Sequence, residues 1–276
     1  MTGAPKLDRF YRLVALDEVG STNDEAMALA AQGAAEGTLV WARSQTSGRG
    51  RRARSWVSPP GNLYLSLVLR PEAPAARIPE IAFVAALGAG DAIRAVVPQS
   101  RAINFKWPND ILVGGEKAAG LLLEAGTSAT PGPGPGGDWL VLGLGINVAS
   151  HPEGLAMKAT SLRAQGAAGA GVAEVLEGFC GAFAVWYERW RQDGFGAIRA
   201  AWLGCAAGLG GPIRVRLETE SLDGVFLGLD QDGALLLGDG AGHERRITAG
   251  DVFFPSHAAR GTPGPGIQGP RALRAG

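Results

Sequence analysis

The stretch Ser44–Gly61 reads Ser-Gln-Thr-Ser-Gly-Arg-Gly-Arg-Arg-Ala-Arg-Ser-Trp-Val-Ser-Pro-Pro-Gly. Arg49, Arg51, Arg52 and Arg54 put four guanidinium groups within six residues, all of them charged at neutral pH. Gly48 and Gly50 permit positive φ or a close approach of backbone to a ligand. No apolar periodicity occurs before Trp56, and Pro59-Pro60-Gly61 ends the segment sharply. Left alone, such a loop is expected to repel itself and stay open. An anion, above all a phosphate, is expected to close it, because arginine matches phosphate oxygens with paired N–H donors. The plain alternative is a solvated basic loop, the usual fate of a charge run.

Strands flank the loop. Thr38–Arg43 leads in and Leu63–Leu69 leads out, so both ends are tethered to one sheet and closure carries the arginines over it. Upstream, Phe10–Val19 alternates as a first strand, and Ser21-Thr22-Asn23 precedes a helix over Glu25–Gln32 with Gly33 as its C′ residue. Thr22 and Glu25 have the spacing of a capping box. Capping explains these residue types, and free N–H groups at a helix start also attract carboxylates and phosphates.

Downstream, Pro79–Val97 reads as a buried helix interrupted by Gly88 and Gly90. The next unusual stretch is Ile103–Val113. A strand ends at Trp107, Pro108 blocks the ladder, and Asn109-Asp110 supply turn chemistry. Gly114-Gly115 then forms a tight hairpin turn. The return strand starts at Lys117, with small residues over Ala118–Gly120 that leave room for a ligand beside it. Lys106 and Lys117 are two of only four lysines in a chain whose other basic residues are all arginine, which suggests a need for an amine at those places.

Trp139–Asn147 is the next strand, and the intervening Pro/Gly tract Thr127–Gly137 is expected to be a disordered hairpin tip. Gly143-Leu144-Gly145-Ile146-Asn147 is no dinucleotide fingerprint, since Val148 follows and no helix begins there. Gly171–Gly194 is an amphipathic helix whose aromatic stripe reads as core. A second helix, Gly196–Ala207, ends at a glycine-rich boundary. Short strands follow over Ile213–Pro255, separated by Asp223-Gly224, Asp232-Gly233 and Asp239-Gly240, as in a small β-barrel. Arg260–Gly276 is expected to be disordered.

The 276 residues carry zero formal net charge and 46% hydrophobic residues. This is globular composition without a global field for nucleic acid or an anionic membrane. The basic character is local to the loop. Two cysteines, Cys180 and Cys205, form no spaced framework and read as reduced core thiols. No signal peptide or membrane-spanning run is present in the sequence, so a cytoplasmic protein is expected.

Four motifs occur in order: Gly-Arg-Gly-Arg-Arg-x-Arg-x-Trp-x-Ser-Pro at 48–59, Lys-Trp-Pro-Asn-Asp at 106–110, Lys-x-Ala-Gly-x-Leu-x-Glu at 117–124 and Gly-x-Gly-Ile-Asn at 143–147. Together they closely resemble the biotin protein ligases, over most of the chain. The resemblance implies an α+β fold: a mixed-sheet catalytic domain related to class II aminoacyl-tRNA synthetases, over 1–208, then an SH3-like barrel over 209–257 and a tail over 258–276. It implies a two-step reaction in which biotin and ATP, with Mg²⁺, give biotinyl-5′-adenylate, and the biotinyl group passes to a lysine of a biotin carboxyl carrier protein.

Residue by residue, the resemblance makes Lys117 and Arg51 the catalytic cations. It places biotin against Ser21, Thr22, Asn23, Gln45, Arg49, Gly50, Arg51, Lys117 and Gly120, and ATP against Arg51, Arg54, Trp56, Lys106, Trp107, Asn109 and Asn147. The Mg²⁺ ligands are left unassigned. Ala53 stands where the family loop usually has glycine, at a cost of about 1 kcal/mol if φ is positive there. The chain starts too close to the catalytic domain for an N-terminal helix-turn-helix, so no DNA partner is expected. An edge of the catalytic sheet is compatible with homodimerisation. The competing readings are a lipoate or octanoate ligase on the same fold, whose members lack this arginine loop, and a non-catalytic, biotin-responsive regulator.

Overall fold

The computed structural model describes residues 5–127, 138–154 and 157–255; the Pro/Gly tract and the C-terminal tail lie outside them. In chain order the elements are β1 (Arg12–Val19), α1 (Thr22–Ala31), β2 (Thr38–Gln45), β3 (Leu63–Leu69), α2 (Ile81–Val96), β4 (Ile103–Lys106), β5 (Asp110–Val113), β6 (Glu116–Thr127) and β7 (Asp138–Ile146). Then come α3 (Val172–Asp193), α4 (Phe195–Leu203), β8 (Pro212–Arg216), β9 (Ser221–Leu229), β10 (Leu235–Gly238), β11 (Glu244–Ile247) and β12 (Asp251–Phe253).

The first seven strands form one sheet in the order β1-β2-β3-β7-β6-β5-β4. Only β1 and β2 pair in parallel, so the sheet is mixed. Its two faces explain the near-continuous apolar reading of β3. Leu63, Leu65, Leu67 and Leu69 join Leu140, Leu142, Leu144 and Ile146 in a large core with α2 and α3. Val68 and Val141 belong to a smaller core on the opposite face, against Ala26 and Ala30 of α1. Every residue of β3 is buried, since strands covered on both faces need no polar side.

The glycines of α2 are spacers. A Cβ at Gly88 would stand 3.0 Å from the Phe183 backbone, and one at Gly90 would stand 2.7 Å from the Phe105 ring. They let α2 approach α3 and β4 closely, so they support the helix they seemed from sequence to weaken. The stripe on α3 is core as expected, with Val175, Leu176, Phe179, Phe183 and Trp190 all buried.

Strands β8 to β12 form a second, five-stranded antiparallel sheet in the order β11-β10-β9-β8-β12. Asp232-Gly233 and Asp239-Gly240 fall in turns between strands, but Asp223-Gly224 does not. It lies inside β9, and a Cβ at Gly224 would stand 2.4 Å from the Gly238 carbonyl oxygen. The dipeptide serves close strand packing there, not a turn. Trp107 joins the two sheets: its indole donates to the Gly233 carbonyl at 3.1 Å.

Candidate active site

The site lies on the α1 side of the seven-stranded sheet. Three glycines there leave a bare floor. A Cβ at Gly143 would stand 2.2 Å from Asn23 Oδ1, and Cβ atoms at Gly145 and Gly120 would stand 2.7 and 3.1 Å from the Trp56 indole. The small residues beside Lys117, expected to admit a ligand, here admit Trp56. The loop between β2 and β3 therefore folds back over the sheet with its tryptophan seated on glycine.

Helix α1 starts at Thr22, with Ser21 as a cap residue that makes no side-chain capping bond. The expected capping box is not formed, because these side chains have other partners. Gln45 Oε1 accepts from the Thr22 amide at 2.8 Å and its hydroxyl at 3.1 Å, while Gln45 Nε2 donates to Ser58 Oγ at 2.9 Å. Asn23 Nδ2 donates to Glu124 at 2.8 Å, which turns Asn23 Oδ1 to Ser66 Oγ at 2.5 Å. Ser66 also contacts Thr22 Oγ1 at 2.8 Å. The one Ser66 proton is shared between Asn23 Oδ1 and Thr22 Oγ1, since the Thr22 hydroxyl proton is already given to Gln45 Oε1. Ser66 and Glu124 had no role assigned from sequence. The period-two position of Ser66 among the β3 leucines was the available signal.

The arginines are not mutually repelled into solvent. Arg49 reaches both oxygens of Glu124, at 3.0 and 3.1 Å, and also pairs with Asp24. Arg52 and Arg54 pair with Asp251 at the start of β12. Arg51 Nη1 lies 3.5 Å from Asn109 Oδ1 and 3.5 Å from the Gly250 carbonyl. Burial lowers the Arg51 pKa, and neighbouring Arg52 and Arg54 act in the same sense against Asp251 and Asp110. The expectation of an open loop is thus corrected: carboxylates of α1, β6 and β12 replace the anion that the sequence reading required. Closure has a backbone cost, because Arg52 and Ala53 have φ of 56° and 55°, each worth about 1 kcal/mol or more outside glycine. The chain stays closed nonetheless, with Trp56 N–H donating to Gly48 O at 2.8 Å and Tyr64 O–H to Pro59 O at 2.8 Å.

Opposite the loop, Asp110 Oδ1 accepts from Lys117 Nζ at 2.5 Å and Oδ2 from Lys106 Nζ at 3.1 Å. Burial opposes ionisation of Asp110, but the Lys117 and Lys106 ammonium groups outweigh it and hold the carboxyl below its usual range. Sequence reading gave Asp110 a turn role only; it opens β5 and is 8% exposed within the site. Lys117 Nζ also lies 5.3 Å from the Trp56 ring centroid, so the loop, the lysine and the carboxylate meet.

A cavity of about 420 Å³ runs between these groups. It brings together Ser21, Thr22, Asn23, Gln45, Arg49, Gly50, Arg51, Arg54, Trp56, Lys106, Asn109, Lys117, Gly120 and Asn147, with Arg216, Asp251 and Phe253 from the second sheet. Of the residues assigned to biotin or ATP from sequence, Trp107 alone does not line it; its role is the link to Gly233. Asn147 donates to Thr160 O at 3.0 Å and Asn109 to Leu121 O at 2.7 Å, so both amides brace the cavity wall. Cys180 and Cys205 are free thiols, and burial pushes the Cys180 thiol up to about 12.

Residues 10–204 match the Biotin/lipoate A/B protein ligase family, and residues 208–254 match the Biotin protein ligase C terminal domain. The chain is 41% identical to the biotin–[acetyl-CoA-carboxylase] ligase of Paracoccus denitrificans, over 87% of this chain and 99% of that protein. It is 35% identical to the bifunctional ligase/repressor BirA of Bacillus spizizenii, over 82% of this chain and 69% of that one. Among solved structures, the biotin protein ligase of Aquifex aeolicus in complex with biotin and ATP superposes with a TM-score of 0.73 at 27% identity, covering 88% of this chain and 98% of that one. Arginine loop, glycine floor and second sheet thus occur in a chain matched along nearly its full described length, and the chain belongs to the biotin protein ligase family.

Proposed function

We propose that the protein activates biotin with ATP and transfers the biotinyl group to a lysine of a biotin carboxyl carrier protein. The observation that carries this is the single cavity in which a closed arginine loop faces the Lys117–Asp110–Lys106 group. In the first step a biotin carboxylate oxygen attacks the α-phosphorus, an O–P bond forms, and the α–β bridge breaks to release pyrophosphate. Two anions must meet, and Lys117 and Arg51 supply preorganised positive charge where that repulsion peaks. In the second step the carrier amine attacks the acyl carbon, loses a proton and expels AMP.

Thr22 and Asn23, held by Ser66 and Glu124, and Gln45, held by Ser58, supply oriented polar atoms for the ureido end of biotin. Trp56 covers the reactive anhydride and keeps water from it. Mg²⁺ bound to the nucleotide phosphates would offset the charge on the leaving pyrophosphate. Among the described residues no group of three or more acidic, histidine or cysteine side chains could hold a metal. Residues 1–208 form the catalytic unit and 209–257 the C-terminal unit in this reading. No helix among the described residues is long and apolar enough to cross a membrane.

The test is to incubate the chain with ATP, Mg²⁺, an apo carrier domain and either biotin or lipoate, and to weigh the carrier. A biotinyl mass increase supports the reading. A lipoyl increase favours the other ligase chemistry, and no increase with either favours a binding protein.

A further inference from the structure

Asp251 is the meeting point of the arginine loop and the second sheet. Its carboxylate accepts from Arg52 Nη1 at 3.3 Å and Arg216 Nη2 at 3.3 Å, and it also pairs with Arg54. Arg216 lies 4.8 Å from the Phe253 ring centroid, and Arg51 reaches the carbonyl of Gly250 next door. Three guanidinium groups thus pair with one carboxylate and a fourth reaches the adjacent carbonyl, a large local excess of positive charge. The exposures are unequal: the Asp251 side chain is 13% exposed, against 37% for Arg52, 55% for Arg54 and 52% for Arg216. The carboxylate sits beneath the arginines, and the arginines remain reachable.

We infer that Asp251 is a resident counter-anion that competes with the polyphosphate of the nucleotide for these arginines. It holds Arg52, Arg54 and Arg216 when no phosphate is present, yields them to the terminal phosphates of ATP, and recaptures them as pyrophosphate leaves. This rests on the adenylate-forming reading above. A guanidinium fork turned to one anion presents fewer donors to another, and two anions on one arginine cluster repel. Pyrophosphate carries more charge than a carboxylate, but Asp251 is tethered and therefore present at high effective concentration. The two come close to balance, so the arginines close the loop before the nucleotide arrives and release the product afterwards.

A purely structural clasp predicts the opposite sign. If Asp251 only braced the loop, its removal would loosen the arginines and weaken phosphate binding. The experiment is calorimetric titration of the full chain with magnesium pyrophosphate, for wild type and Asp251→Asn, together with pyrophosphate inhibition of biotin-dependent adenylate formation. Competition predicts that the variant binds pyrophosphate about tenfold more tightly and is inhibited at correspondingly lower concentration. Equal or weaker binding overturns the inference. Should Asp251→Asn not fold, Arg216→Gln carries the test, with pyrophosphate binding expected to weaken about tenfold and unchanged binding overturning it. The titration needs no turnover, so a wild type that binds pyrophosphate yet makes no adenylate fails the functional reading and not this one.

Discussion

Trp56 packs on Gly145 so closely that a Cβ at position 145 would stand 2.7 Å from the indole Nε1 and Cε2. The floor of the site and its lid are thus one fitted pair, contributed by a strand and by a loop nearly ninety positions apart. Lys117 completes the contact from the side, 5.3 Å from the same ring.

Gly145→Ala should unseat the lid and leave the sheet intact. The added methyl meets the indole, and the loop is the part free to move. Overpacking of this kind costs about 1–3 kcal/mol, which corresponds to a fall of about five- to 150-fold in adenylate formation if closure is required. Limited trypsin digestion at Arg49–Arg54 should speed up in parallel. Unchanged digestion with normal activity would show that Trp56 need not seat on Gly145.

Asp110 predicts an acid limb in stability. Its folded-state carboxyl lies below its usual range, despite burial, because of Lys117 and Lys106. The stabilisation is therefore complete above the unfolded carboxyl pKa of about 3.9 and is lost as pH falls below it, through the lower folded value. Asp110→Asn leaves two buried or half-buried ammonium groups without their partner, at a cost of about 3–5 kcal/mol. Urea unfolding from pH 6 to pH 3 should show a wide gap between wild type and variant that narrows below about pH 4. A gap independent of pH would remove the ion pairs from the account.

Lys117→Ala should lose adenylate formation by about a hundredfold, equivalent to ~3 kcal/mol of transition-state stabilisation. Asp110 keeps Lys106 in this variant, at 3.1 Å, so the fold should persist. Thermal melting and adenylate yield together check this. Near-normal adenylation would remove Lys117 from the mechanism.

Arg51→Gly separates charge from cover. If Arg51 serves only the phosphates, the variant makes less adenylate. If it also seals the site through Asn109 and Gly250, adenylate escapes and acylates lysines of unrelated proteins. Biotinylation of serum albumin, normalised to pyrophosphate formed, should rise in the variant. A ratio no higher than wild type would leave Arg51 as a phosphate ligand alone.

The strands were legible because their signals are local. Leu63–Leu69 matches β3 residue for residue, and the Gly114-Gly115 hairpin falls between β5 and β6 as read. The motifs also located most of the cavity wall. What stayed hidden was partnership across the fold. Capping chemistry at Ser21–Asn23 reads the same whether Thr22 turns to its own helix or to Gln45. A run of arginines gives no hint that Glu124 and Asp251 await it, since those carboxylates lie 75 and about 200 positions away. Asp223-Gly224 has turn chemistry, and only the neighbouring strand β10 shows why a glycine is needed inside β9.

The 199-residue separation between Arg52 and Asp251 also orders events at the ribosome. Synthesis proceeds at about 5–20 residues per second, so the loop emerges some 10–40 s before the carboxylate that clasps it. Asp24 precedes the arginines and Glu124 follows Arg49 by 75 residues, so Arg49 has its partners early, while Arg52 and Arg54 stay without theirs until Asp251 is made. Strand β12 therefore completes the closure: a half-made chain that stops short of it lacks the clasp on Arg52 and Arg54.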